Sequence, residues 1–93
     1  MKHPETTWFI EWDRCFVTDN VGFDVEREYK YNDTYKQWVG QNNYYIHIYN
    51  YKERGSEIAF YGDNKFVNDI VYVIDHHDDF NTVVRAAFEL QKD

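Results

Sequence analysis

Apolar and polar side chains alternate along most of this chain with the two-residue period of a pleated strand. Trp8, Ile10, Trp12 and Phe16 alternate with Glu11, Asp13 and Cys15, which predicts a half-buried strand with Arg14 out of pattern. Trp8, Trp12 and Phe16 also recur at i+4, the spacing of a helix face, so that alternative stays open. The turn signal Thr18-Asp19-Asn20-Val21-Gly22 leads into the clearest strand. There Phe23, Val25, Tyr29 and Tyr31 share one parity and Asp24, Glu26, Glu28 and Lys30 the other.

Asn32-Asp33-Thr34 reads as a turn and residues 35–39 as a short strand ending at Gly40-Gln41-Asn42-Asn43. Tyr44, Ile46 and Ile48 then alternate with Tyr45, His47, Tyr49 and Tyr51. Beyond the turn Lys52-Glu53-Arg54-Gly55-Ser56, Ile58 and Phe60 alternate with Glu57, Ala59 and Tyr61, which predicts a hairpin. After the break Gly62-Asp63-Asn64, the run Ile70-Val71-Tyr72-Val73-Ile74 has the β-branched character of a strand covered on both faces. The last element is the most helix-like: Phe80, Val83, Val84, Ala87 and Phe88 fall at i, i+3, i+4, i+7 and i+8, with Asp78 or Asp79 as N-cap. The expected fold is α+β, an antiparallel β-sheet of about five to six strands with a C-terminal α-helix packed on one face.

The length of 93 residues predicts a single acidic domain over 1–93, with no repeat, low-complexity tract or linker. Aromatic residues, 20% of the chain, raise the apolar area each residue can bury and let so short a chain build a core. Cys15 is the single cysteine, which excludes an intramolecular disulfide and a cysteine-based zinc site and fits a reducing, cytoplasmic setting, the host cytoplasm for a phage-encoded chain. Met1-Lys2-His3-Pro4-Glu5 has no apolar signal region, and no apolar stretch is long enough to span a bilayer, so no membrane partner is expected.

Seventeen acidic against ten basic side chains give a formal charge of −7, which argues against direct nucleic-acid binding and for a basic partner, although a solubility role accounts for the same charge. The acidic parity of the second strand, Asp24, Glu26 and Glu28, is expected to share a sheet face with Glu11 and Asp13. Alternate residues on a strand lie roughly 6.5 to 7 Å apart, of the order of the phosphate spacing in a nucleic-acid backbone. Tyr45 and Tyr51 are candidate anchors for the same partner, and Tyr49 shares their parity; burial under the helix is the competing fate.

The string Asp75-His76-His77-Asp78-Asp79 carries ligand chemistry, and its Asp-His-His core after an apolar run resembles the signature of the DHH phosphoesterases over some ten residues. That resemblance implies metal-dependent hydrolysis; apart from it, a metal site on this string would be completed by His47 or His3 from elsewhere in the chain. Adjacent residues of an extended segment point to opposite sides, so a strand-to-helix turn with capping aspartates is the competing reading. Ser56, the single serine, lies in a predicted turn, and glycine-rich phosphate loops are absent.

These features predict a non-enzymatic binding protein without cofactor or metal. Its size, charge and composition suggest an acidic inhibitor that blocks the basic surface of a nucleic-acid-binding enzyme, as phage anti-CRISPR and anti-restriction DNA mimics do. An immunity protein neutralising a nuclease toxin is the alternative, a metal-dependent hydrolase using Asp75, His76, His77 and Asp78 the third, and a homodimer is compatible with each.

Overall fold

The computed structural model describes residues 7–53 and 55–92; His3, Arg54 and the side chain of Phe16 lie outside what it describes. Four strands, β1 (Trp8–Val17), β2 (Val21–Asn32), β3 (Gln37–Asn50) and β4 (Glu57–Gly62), are followed by two helices, α1 (Asn64–His76) and α2 (Phe80–Gln91). The strands form one antiparallel meander in the order β1-β2-β3-β4, giving an α+β architecture.

Both helices pack on the same sheet face, against the side chains that alternation assigns to the interior. Val21, Phe23 and Val25 of β2, Tyr44, Ile46 and Ile48 of β3 and Phe60 of β4 are buried against Phe66, Val67, Ile70 and Ile74 of α1 and Val83 and Ala87 of α2. Burying one such aliphatic or aromatic side chain is worth about 1.5–3 kcal/mol, so this cluster is the dominant stabilising term.

Two expected strands are absent. Residues 35–39 and 44–51 do not form separate strands, because β3 runs unbroken through Gly40, and residues 70–74 are helical, so four strands replace the five or six expected. Gly40 packs under Arg27, whose guanidinium would lie 2.7 Å from a Cβ at that position, and the Arg27 Nε donates to the Gln41 carbonyl at 2.9 Å. The glycine serves close approach within a strand and does not end it.

The β-branched run Ile70-Val71-Tyr72-Val73-Ile74 lies in α1. The Asp63 side chain accepts from the Phe66 amide at 2.8 Å, and Phe66, Val67, Ile70 and Ile74 recur at helical spacing on the buried face. A β-branched residue costs about 0.5 kcal/mol in a helix relative to alanine, several times less than burial of its side chain contributes. Tertiary packing therefore decides the conformation.

A β-bulge in β1 inverts the face of its apolar stripe. Trp12 pairs with Glu26 and Arg14 with Val25, leaving Asp13 as the extra residue. Trp8, Ile10 and Trp12 consequently share a face with Lys30, Glu28 and Glu26, away from the helices, while Arg14 turns to the helix side and reaches Asn68 of α1. Trp12 is 64% and Trp8 50% exposed, so this stripe is not the half-buried one the sequence suggests.

β2 and β3 outrun the helices, and the molecule measures 49 × 30 × 17 Å. On the helix side of this projection Phe9 stacks on Tyr29 with ring centroids 5.1 Å apart, and Trp38 meets Phe9 and Tyr31 edge-on at 4.7 and 5.3 Å. At the opposite end, Asn20 Nδ2 donates to the Asp78 carboxylate at 3.0 Å and the Thr18 hydroxyl donates to it as well. The β1–β2 turn is thereby tied to the α1–α2 turn. No helix among the described residues is long and apolar enough to cross a membrane.

Candidate partner-binding face

The sheet face opposite the helices is built in cross-strand rows. One row reads Trp12, Glu26, Tyr45, Tyr61; the next Cys15, Asp24, His47, Ala59; the third Val17, Gly22, Tyr49, Glu57. Toward the projecting end come Ile10 with Glu28 and then Trp8, Lys30 and Val39. The carboxylates come from β2 and β4 and the aromatic rings from β1, β3 and β4, and Lys30 is the lysine or arginine that the pairing places on this face among the described strand residues.

The carboxylates are held in place by neighbours. His47 lies between two of them, Nε2 at 3.2 Å from Glu26 and Nδ1 at 3.3 Å from Glu57, linking β2, β3 and β4. Glu28 accepts from Asn43 Nδ2 at 2.9 Å. Asp24 draws the thiol proton of Cys15, which, with some burial, pushes the thiol pKa up and leaves a poor nucleophile. Its own Oδ1 is buried without a hydrogen-bond partner.

Tyr45 and Tyr61 pack with centroids 4.9 Å apart, and burial followed by the charges of Glu28 and Tyr45 raises the Tyr61 pKa. The Tyr49 ring covers Gly22 so closely that a Cβ there would lie 2.0 Å from a ring carbon. Burial first, and then Asp24, Cys15, Tyr51 and Glu57, keep the Tyr49 phenol protonated above its ordinary range. Beside it, Asp24, Tyr49, Tyr51 and Glu57 border an open depression of about 610 Å³.

Of the residues singled out from sequence, Asp24, Glu26, Glu28 and Tyr45 share this face, and Tyr51, just past the end of β3, stands at its rim. Glu11 does not join them: it pairs with Arg27 on the helix side. Asp13 sits in the bulge, ion-paired to Arg14 Nε at 2.9 Å. Trp8, Trp12, His47, Glu57 and Tyr61 complete the face. The parity of Glu57 and Tyr61 was the available signal for β4, while for the tryptophans the one sequence mark of the bulge was Arg14 falling out of the alternation.

The string Asp75-His76-His77-Asp78-Asp79 turns one helix into the next and does not follow a strand. His76 stacks on Tyr72 at 4.1 Å and its Nδ1 lies 2.8 Å from the Tyr72 carbonyl. His77 caps α1. Asp78 binds Thr18 and Asn20, and Asp79 caps α2, accepting from the Thr82 amide at 2.9 Å and hydroxyl at 2.7 Å. Those two Thr82 contacts hold the Asp79 carboxyl below the usual aspartate range. No group of three histidine, cysteine, aspartate or glutamate side chains among the described residues is placed to hold a metal ion.

No family model, curated protein or solved structure matches this chain.

Proposed function

We propose that this chain is a small acidic binding protein that occludes a basic, nucleic-acid-binding surface of a partner protein. The observation that carries the reading is the uncovered sheet face, which Asp24, Glu26, Glu28 and Glu57 share with exposed Trp8, Trp12 and Tyr61. The negative field of a chain of net charge −7 steers encounter with a lysine- or arginine-lined groove. The aromatic side chains then supply rigid, desolvated anchors. The biological class that fits is an inhibitor of the anti-CRISPR or anti-restriction kind.

The exposed tryptophans favour a second reading, an immunity protein that neutralises a nuclease toxin chiefly through aromatic contacts. Salt separates the two: a charge-dominated mimic loses affinity steeply from low to moderate ionic strength, whereas an aromatic-anchored complex keeps most of it.

The test is capture from bacterial lysate by the intact chain and by a Glu26→Lys, Glu28→Lys double variant, followed by a DNA-binding assay on the captured protein. The expected result is a nucleic-acid-binding protein whose DNA binding is blocked by the intact chain and whose association with the variant is slower. A captured protein that still binds DNA when complexed, or unchanged association by the variant, overturns the reading.

A further inference from the structure

We infer that the depression bordered by Asp24, Tyr49, Tyr51 and Glu57 is a receptor for a single arginine side chain of the basic partner. The inference rests on the reading of the open face as a partner-binding surface and names the group that it grips. The depression, about 610 Å³, lies where the third cross-strand row meets the β3–β4 turn, and its border combines two carboxylates with two phenol rings.

The observation that points to a ligand is the Asp24 carboxylate. Its Oδ1 is buried and has no hydrogen-bond partner. A buried acceptor left without a donor is destabilising and rare in folded proteins. Asp24 borders the depression, so a donor entering there can reach this carboxylate and satisfy the oxygen that the Cys15 thiol leaves without a partner.

Guanidinium suits the surroundings better than ammonium. It is planar, stacks on phenol rings and offers parallel N–H donors to a carboxylate. Tyr51 is 53% exposed at the rim, and the Tyr49 ring is fixed by its seat over Gly22. The Tyr49 phenol, held protonated by burial and by Asp24, adds no charge. Glu57 carries a second carboxylate on the adjacent strand, and Asn50 and Ser56 add neutral polar groups to the wall.

The probe is N-acetyl-arginine amide, titrated into the full chain and followed by amide chemical shifts, with N-acetyl-citrulline amide as the uncharged isostere and N-acetyl-lysine amide as the ammonium control. The arginine probe should give saturable shifts confined to residues 22–24, 49–51 and 55–57, and the citrulline probe none. Asp24→Asn, nearly isosteric, should weaken binding about tenfold, the loss expected when a charge-assisted contact becomes a neutral one. Tyr51→Leu, at an exposed position, should weaken it without altering the rest of the spectrum.

Absence of saturable shifts, or equal affinity in Asp24→Asn, overturns the inference; equal affinity for the lysine probe overturns the choice of guanidinium. These readouts need no partner. If the arginine probe fails while the Glu26→Lys, Glu28→Lys variant still slows capture, the open face stands as the binding surface and the arginine receptor alone falls.

Discussion

Lys36 is the described non-glycine residue with a positive φ, 53°, in the turn that joins β2 to β3. An L side chain is disfavoured there by about 1–2 kcal/mol, while glycine loses more entropy on folding, so Lys36→Gly should stabilise the protein by up to about 1 kcal/mol. Thermal unfolding should register this as a rise of about 4–8 °C per kcal/mol for a domain of this size. The turn itself was legible: Asn32 Oδ1 accepts from the Tyr35 amide at 3.0 Å, the side-chain-to-backbone contact that makes Asn-Asp-Thr a turn signal. The identity of the strained position was not, because lysine carries no mark of left-handed backbone. Gly40 shows the converse, since a glycine followed by polar residues reads as a terminator unless one knows that Arg27 crosses it.

At the scale of elements, sequence alternation identified the interior of β2, β3 and β4 because those strands keep a strict two-residue period over their buried stretches. It failed for β1, where one extra residue at Asp13 exchanges the two faces. It failed for α1 because a window confined to residues 70–74 contains too few turns to reveal the helical spacing that Phe66 and Val67 complete. The helix makes its own prediction. Ile70 is fully buried, and Ile70→Ala should cost about 2–5 kcal/mol in denaturant-measured stability.

The second helix should respond to acid. Asp79 has a depressed pKa in the fold because Thr82 donates to it, so the stability it contributes is present above the ordinary aspartate range and is lost as pH falls through the lowered folded value. Asp79→Asn retains a capping oxygen that does not titrate, and its stability should therefore decline less than that of the parent over that acid window.

The whole molecule divides lengthwise. One half of the sheet is covered by α1 and α2, and the projecting half of β2 and β3 is covered by neither helix, its aromatic cluster resting on Arg27, Tyr29 and Trp38. Hydrogen exchange should follow this division, with amides of Phe23, Val25, Ile46 and Ile48 the most protected and those of Tyr31, Asn32, Trp38 and Val39 exchanging faster. Uniform protection along both strands would mean that the projection opens only with global unfolding. Of the candidate site, the sequence disclosed the acidic parity of β2 and the tyrosine parity of β3, each local to one strand. Their meeting with Trp12, Glu57 and Tyr61 depends on register, which no single strand encodes.

The order of elements also sets a sequence of events on the ribosome. All four strands precede the first helical residue, so a chain emerging from its N-terminus can complete the meander before Phe66, Val67, Ile70 and Ile74 have left the ribosome to cover it. During that interval Val21, Phe23, Val25, Ile46 and Ile48 face water, the condition in which nascent β-sheets associate with one another or are held by chaperones. The Asp78 contact with Thr18 and Asn20 joins residues some sixty positions apart and closes only when the interhelical turn has been released. Successful folding is thus decided only once α1 and α2 have been released, and a premature stop before α1 yields an adhesive fragment with this sheet face uncovered.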